Sequence, residues 1–522
     1  MQPVSSLDDR FHDPRFTHAL LQRLPAFVVT QRWFTSKGKD LKHCKIRNSY
    51  RVGETYALVI IETHYADGSH ELFQLPLAQL TRVEDQKHYL KTNPGLVVFR
   101  VPGGPYLVDA VPLPGFRRDL YEMIRAGGYT HDGLSCECGK LLRQAPDTLD
   151  STVPSIDTSN TAIIYGNRFF FKLFRRLDPG LNPDLELVRY LSEHTTFAHC
   201  PPYGGSLGVG KMTDADYLNL GMLSGMVDNR GDAWELFQDL TRRYFAEDGG
   251  VVSAETLERA RLLGRRTAEM HQALAAKLLV QGRRGAGAMI VPEPLTPAYR
   301  AEISGAATKL LDRQIGELES RLGELAGRAR PLAGRVLALA PTVRQRLDRL
   351  RDRPMSMDLI RIHADYHLGQ VLVTDDDFVI IDFEGEPLLT IPERRRRRPA
   401  LKDVAGMVRS FHYAISAQVL LHPDRYADHD PTELDRLTDH WYARVRTVYL
   451  DSYFATADAG TGPEGASFLP TDAADRQELL DLFVLEKAVY EVAYELNARP
   501  DWLPVPLTGV LEVAEAQSVG PH

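Results

Sequence analysis

The loop His363-Ala-Asp-Tyr-His-Leu-Gly-Gln370 runs directly into Val371-Leu-Val-Thr-Asp-Asp-Asp-Phe-Val-Ile-Ile-Asp382, and this stretch limits the possible folds more than any other. Val371–Val373 and Phe378–Ile381 are short apolar runs, and the triplet Asp375-Asp376-Asp377 between them is turn-prone, so the segment predicts a β-hairpin. Antiparallel pairing then brings Gln370 and Asp382 together at one edge. A carboxylate and an amide oxygen side by side suit Mg²⁺, a hard cation that takes oxygen ligands and keeps phosphate oxygens in its shell. Asp365, in the loop before the hairpin, is left to accept a proton from a hydroxyl. One proton-accepting Asp followed by a metal-holding amide and a second Asp is the layout of a phosphoryl-transfer loop. The competing reading is a surface hairpin with incidental acids.

Phosphoryl transfer also needs a cation on the nucleotide phosphates and a carboxylate that holds the cation in place. The segment from Thr161 to Phe174 reads as two strands around the turn Gly166-Asn167, with Lys172 near its end. Glu186, fourteen residues after Lys172, falls in Pro183-Asp-Leu-Glu-Leu-Val-Arg-Tyr-Leu191, which has helix-start chemistry and helical apolar spacing. A strand Lys held by a helix Glu is the nucleotide clamp of protein-kinase-like folds, which assigns Lys172 and Glu186 to ATP. An isolated strand Lys is otherwise a solvated charge, and the downstream Asp365 and Asp382 tip the balance toward the clamp. No GxGxxG loop precedes it. Asp157-Thr-Ser-Asn-Thr161 offers hydroxyls and an amide instead, making Ser159, Asn160 and Thr161 the candidates for cradling phosphate.

The spacing His-x-Asp-x4-Gln, with Asp twelve residues further on, resembles the aminoglycoside phosphotransferase-like kinases, where Asn is usual at the position of Gln370. Further segments narrow the resemblance. Gln31-Arg-Trp-Phe34, Lys37-Gly-Lys39, Lys172-Leu-Phe-Arg-Arg-Leu-Asp-Pro-Gly180, Gly231-Asp-Ala-Trp234, Asp382-Phe-Glu-Gly-Glu-Pro387, Glu393-Arg-Arg395 and Asp403-Val-Ala-Gly-Met-Val-Arg-Ser410 occur in the order of the maltokinase family. So does the segment from Leu485 to Trp502, and the set is similar to the kinase part of trehalose synthase–maltokinase fusions. Departures are Ala364, where Gly is common, and the basic run Arg394–Arg398.

The resemblance implies an α+β, bilobal protein-kinase-like fold with an additional N-terminal β-rich cap domain. It implies ATP and Mg²⁺, and phosphorylation of maltose at its anomeric hydroxyl to maltose 1-phosphate, a step from trehalose toward glycogen with trehalose synthase as a possible partner. It further implies that Asp403 hydrogen-bonds His363, which makes His363 a scaffold and leaves Asp365 as the base. Sugar contacts are implied in the C-terminal lobe, on a helix where Lys487, Glu491 and Tyr494 share a face at i, i+4 and i+7, with Glu384 and Arg409 as further candidates. The same stripe equally reads as a solvated face carrying a Lys–Glu pair. Another acceptor, such as glucosamine or an amino alcohol, and a non-catalytic regulator on the same fold are the alternatives. Intact Lys172, Glu186, Asp365 and Asp382 speak against the regulator.

A chain of 522 residues has room for roughly three domains. The expected division is a cap over 1–145, a nucleotide lobe over 146–227 and a mostly helical lobe over 228–522. The cap is read from strand-like pieces around Tyr56–Glu62 and Glu71–Leu77, joined by the turn Ala66-Asp-Gly-Ser69, and the polar stretch from Pro146 to Asp157 serves as linker. Leu311, Ile315, Leu318, Leu322 and Leu325, then Val336, Leu339, Val343, Leu347 and Leu350, predict an antiparallel helical hairpin in preference to an intermolecular coiled coil. A net charge of −8 argues against a general nucleic-acid or membrane-surface binder. Four cysteines without zinc spacing read as reduced thiols in a cytoplasmic protein. Met1–Arg10 has no basic start or apolar core of a signal peptide, and no apolar run reaches the ~18 residues of a membrane span. Arg394–Arg398 is either a solvated loop or a source of phosphate-neutralising charge. His271, on a helix among apolar residues, reads as a packed core residue, and His367 is open between substrate approach and packing.

Overall fold

The computed structural model describes residues 7–11, 13–101, 104–155, 160–246, 250–276, 290–460 and 467–515. They form two compact units, one of Met1–Glu193, Pro201–Met226 and Leu389–Glu393, the other of His194–Cys200, Val227–Leu388 and Arg394–His522.

The first unit holds two antiparallel sheets. Strands β1 (Leu41–Val52), β2 (Tyr56–Tyr65), β3 (His70–Leu80), β4 (Val97–Arg100) and β5 (Tyr106–Asp109) lie in the order β1-β2-β3-β5-β4. The predicted turn is present, with Gly68 at φ 82° and Thr63 opposite Glu71. Alternation decides which face is covered: Val59, Ile61, Phe73, Leu75 and Leu77 join one buried cluster with Leu20, Leu24 and Phe27. Those last three lie on α2 (Pro14–Val28), which follows the short α1 (Leu7–Phe11) and starts with Asp13 accepting from Arg15 N. Helices α3 (Val83–Thr92), α4 (Pro114–Ala126) and α5 (Lys140–Arg143) separate later strands of the unit.

The second sheet runs β6 (Gly128–Tyr129), β7 (Leu134–Cys138), β12 (Tyr203–Val209), β13 (Leu218–Gly225), β10 (Phe169–Leu173), β9 (Thr161–Tyr165), β8 (Ser151–Thr152). The boundary expected at residue 145 therefore falls between strands of one sheet: β6 and β7 pair into the same sheet as the strand of Lys172. Hydrogen bonding between distant segments sets this division, and local composition does not report it. Between the sheets, β11 (Arg176–Leu177) pairs with β3, Gln74 Nε2 donates to Phe174 O at 2.5 Å, and Arg175 meets Asp109 at 2.8 Å with both side chains buried. Trp33, from the Gln31-Arg-Trp-Phe34 segment, lies under the Arg175 guanidinium at 5.3 Å. Helix α6 (Pro183–His194) completes the surroundings of Lys172.

The second unit is mostly helical: α7 (Ala233–Ala246), α8 (Ala254–Ala275), α9 (Pro297–Arg321), α10 (Ala329–Asp352), α12 (Leu401–Leu421), α13 (Pro431–Ala459), α14 (Ala473–Ala498) and α15 (Pro504–Glu515), while the short α11 (Ile391–Arg394) has its first three residues in the first unit. Two small ladders, β14 (Glu293–Pro294) with β15 (Asp358–Leu359) and β16 (Val371–Val373) with β17 (Phe378–Ile380), complete it. The antiparallel α9–α10 hairpin is present, with Ser304 Oγ donating to Leu347 O and Asp312 meeting Arg344. Helices α8 and α13 approach closely at Gly264, where a Cβ would stand 2.3 Å from Tyr449 O. The four cysteines are free. Among the described residues no helix is long and apolar enough to cross a membrane.

Candidate active site

In the first unit Lys172 sits in a ladder with strands on both sides, opposite Ala162 on β9 and Met222 on β13. The β9–β10 turn places both Gly166 and Asn167 at positive φ, as the Gly-Asn pair predicts. Lys172 Nζ lies 3.1 Å from Asp184 Oδ2, whose side chain is buried. Asp184 is held at the start of α6, where Pro183 precedes it and Asn182 Oδ1 accepts from its N–H at 2.8 Å. Glu186, the carboxylate expected beside Lys172, is buried on the same first turn. Residues two apart on a helix differ by about 200° in direction, so spacing from Lys172 alone does not choose between the two acids. Of the phosphate-cradle candidates, Thr161 Oγ1 accepts from Arg175 Nε at 2.8 Å and Asn160 stands at the entry to β9, whereas Ser159 lies outside the described residues.

In the second unit the hairpin forms with Val371 opposite Ile380 and Val373 opposite Phe378, as expected. Its turn is fastened by Arg266, which binds both oxygens of Asp377 at 2.8 and 2.6 Å. Burial opposes the Asp377 charge, but Arg266 outweighs it and holds the carboxyl below its usual value. Gln370 and Asp382 meet at the hairpin edge through Gln370 Nε2 donating to Asp382 Oδ2 at 3.1 Å. The amide thus offers its N–H₂ group to the carboxylate, which makes it a support for Asp382 in this arrangement. The second acid that comes close is Glu384, with a carboxylate oxygen within 4.8 Å of one from Asp382. Two carboxylates at this separation are an oxygen donor set suited to Mg²⁺. Glu384 was expected at the sugar instead.

The loop before the hairpin is pinned from α12. Asp403 accepts from the backbone N–H of His363 at 2.7 Å and of Ala364 at 2.8 Å. Asp403 thus bonds His363, as the resemblance implies, and does so through the backbone N–H. The ring turns the other way: Nε2 donates to Ile381 O at 2.8 Å and Nδ1 accepts from Asp365 N at 3.4 Å. His363 is fully buried, so it acts as a strut between the loop and the hairpin. Ala364 stands at φ 70° and Asp382 at φ 65°. Left-handed backbone costs a residue with a Cβ roughly 1–2 kcal/mol, which explains why Gly suits position 364. Strain of this kind collects where surrounding contacts over-determine the backbone, as Asp403 does here. Leu368 N donates to Ser410 Oγ at 3.1 Å, and a Cβ on Gly406 would stand 2.6 Å from Tyr366 O. The half-buried Asp365 projects from this fixed loop.

The α14 face resolves differently. Arg409 Nε and Nη2 contact Glu491 Oε2 at 2.9 and 2.8 Å inside the α12–α14 contact, and Arg409 is 1% exposed. Burial pulls the Arg409 pKa down and Glu491 more than offsets it, so the net shift is upward and the guanidinium stays charged. His412 Nδ1 lies 2.7 Å from Arg409 Nη1, and burial together with that neighbour pushes His412 well below the ordinary imidazole value. Arg409 and Glu491, both expected as sugar contacts, are thus bound to each other. Tyr494 is 53% exposed with Arg499 stacked over its ring at 5.4 Å, and Lys487 is half-buried beside Tyr490. Burial pushes His367 below the ordinary imidazole value, against the pull of Asp365. The arginine run is dispersed rather than pooled: Arg394 is buried, Arg396 pairs with Glu302 at 2.6 Å and Arg397 with Glu293 at 2.7 Å.

Residues 155–385 match the phosphotransferase enzyme family APH, a span that begins before Lys172 and ends just past Asp382 and Glu384. A glucosamine kinase of Streptacidiphilus jiangxiensis is 27% identical over 355 residues, 67% of this chain and 70% of that protein. A glucosamine kinase of Mycolicibacterium smegmatis is 32% identical over 147 residues, 28% of this chain and 32% of that protein. Among solved structures, a glucosamine kinase in complex with glucosamine, ADP and inorganic phosphate superposes with a TM-score of 0.65 at 21% identity, covering 94% of this chain and 98% of the other. A second crystal form of glucosamine kinase gives 0.67 at 22% identity, covering 96% and 99%. The chain has the aminoglycoside-phosphotransferase-like kinase fold, and residues 155–385 are the part similar to the phosphotransferase family.

Proposed function

We propose that this phosphotransferase-fold chain moves the γ-phosphoryl group of ATP onto a hydroxyl of a small sugar, with glucosamine as the acceptor. The likeness to a glucosamine kinase along 70% of that protein's length carries the choice of acceptor. Maltose is the second reading, favoured by the ordered segments from Gln31 to Trp502. The trehalose and glycogen context expected with maltose depends on that second reading alone.

In the reaction, Asp365 accepts the proton of the attacking hydroxyl, the oxygen–phosphorus bond forms, and the bond from the γ-phosphorus to ADP breaks. The fixed backbone of residues 363–365 orients Asp365, so little reorganisation is needed at the moment of transfer. Lys172, held by Asp184 with Glu186 nearby on the same turn, is assigned to the nucleotide phosphates. Asp382 and Glu384 would hold Mg²⁺, which when bound neutralises phosphate charge. Gln370 keeps Asp382 oriented. Lys487 and Tyr494 retain a place as sugar contacts, whereas Arg409 and Glu491 hold α12 and α14 together.

An ADP-release assay over glucosamine, maltose, glucose and an amino alcohol tests the proposal. Turnover is expected to be highest with glucosamine. Phosphorus NMR of the product identifies the hydroxyl: coupling to a primary CH₂ excludes a 1-phosphate, and coupling to an anomeric proton identifies one. Turnover only with maltose, giving the anomeric phosphate, would replace the first reading by the second.

A further inference from the structure

We propose that His271 is a positioning residue of the catalytic loop: its Nε2–H, sharing one carboxylate oxygen of Asp403 with the backbone of His363, sets the orientation of that carboxylate and through it of Asp365. The proposal rests on the assignment of Asp365 as the proton acceptor and adds a residue from a helix remote in sequence.

His271 is fully buried on α8, where an apolar side chain would fill the space without any hydrogen-bond requirement. Both of its ring nitrogens instead have partners, each on a different helix. Nε2 lies 3.2 Å from Asp403 Oδ2 on α12, and Nδ1 lies 2.9 Å from the Tyr453 hydroxyl on α13. A carboxylate only accepts, so Nε2 carries the proton and Nδ1 accepts from Tyr453 O–H. The two contacts thereby fix the tautomer as well as the ring.

Asp403 then has three donors. His271 and His363 N share Oδ2, and Ala364 N occupies Oδ1. The two backbone donors come from the loop itself, so neither anchors the carboxylate to the rest of the protein. His271 approaches from α8 and supplies that anchor. The arrangement matters more in this chain because residue 364 is Ala at φ 70°, a backbone conformation that a side chain disfavours and the Asp403 contact holds in place. A carboxylate free to rotate would release Ala364, and Asp365 follows it directly in the chain.

Two substitutions of similar polarity separate positioning from space-filling. In His271→Gln the amide nitrogen reaches about where Nε2 stands and keeps the donor to Asp403. In His271→Asn it reaches only about as far as Nδ1 and loses that donor. His271→Asn is expected to lower kcat by on the order of 10²-fold, the loss that follows from misplacing a catalytic group by about 1 Å, with both KM values little changed. His271→Gln should recover most of that loss. Amide hydrogen exchange over residues 360–366, which needs no substrate, should accelerate in the Asn variant and stay near the parent rate in the Gln variant. Equal kcat and equal exchange in the two variants would overturn the proposal, whether both are active or both are impaired with a matching drop in Tm. If no sugar is phosphorylated by the parent enzyme, the functional reading fails, while the exchange comparison still decides the role of His271.

Discussion

The hairpin with its preceding loop and helix α14 both carry charged residues expected at the site, yet the second unit uses them in opposite ways. Around the hairpin, Asp365, Asp382 and Glu384 stay at least partly exposed, and their fixed placement comes from backbone contacts to Asp403 and from Gln370. On α14, Glu491 is buried against Arg409, and Glu495 accepts from Tyr413 and Arg499. A charge is available for chemistry when its neighbours hold its backbone and leave the side chain open. It becomes structural when another helix supplies the opposite charge.

The sharpest way to break this comparison is at the hairpin. Asp365→Asn and Asp382→Asn should each reduce turnover by about 10³-fold or more, with folding stability almost unchanged, because the side chains serve the reaction and not the core. Steady-state kinetics beside thermal unfolding measures both, and turnover within tenfold of the parent in Asp365→Asn would end its assignment as the base. The opposite pattern belongs to α14. Glu491→Ala leaves Arg409 charged and buried without its carboxylate, so the expected loss is about 3–5 kcal/mol of stability in urea unfolding, with the sugar KM of the remaining folded enzyme little changed. A raised sugar KM at full stability would return Glu491 to the substrate.

The clamp in the first unit offers an intermediate case, since Lys172 is paired yet not fully buried. Lys172→Ala should raise the ATP KM by about tenfold and lower kcat, a charge aimed at phosphate serving ground and transition states together. Asp184→Asn should reproduce more of this defect than Glu186→Gln does, and the reverse order would restore Glu186 as the principal partner.

A smaller effect separates the regions by pH. His412 has a folded pKa below its unfolded value of about 6.5, so the unfolded chain binds more protons as the solution is acidified. Its contribution to stability is therefore present above that pH and lost as the pH falls through it, with a slope of up to about 1.4 kcal/mol per pH unit. Urea unfolding from neutral to mildly acidic pH should show that slope, reduced in His412→Gln. The smallest expected change is at the exposed end of α14: Tyr494→Ala should alter the sugar KM by about threefold or less and leave stability unchanged.

Much of the catalytic half was legible in the sequence because the hairpin and its loop are continuous. Twenty residues from His363 to Asp382 contain the turn, both strands and the meeting of Gln370 with Asp382. The β9–β10 hairpin and the start of α6 were legible for the same reason, each set by turn or cap chemistry within a few residues. Two nearby choices were not. That Asp184 meets Lys172 depends on the rotation of α6, to which Asn182 contributes through its contacts with Asn219 on β13 and with Asp184 N. The role of His271 was hidden because an imidazole among apolar helix positions looks the same in sequence whether it packs or bonds, and its partners lie 132 and 182 residues away.

The sequence by itself determined the kinase-like layout, the order of the acids and the hairpin that presents Asp382. Turn preference, capping and strand alternation act over a few residues and need no distant partner. The tertiary structure decided which charges remain available, because burial and ion pairing join segments far apart in the chain. It turned Arg409 toward Glu491, set Asp403 on the backbone of the loop, and merged the segment around β7 with the sheet that carries Lys172. A charged side chain carries the same letter in a core pair and in an active site, and only the packing around it tells them apart.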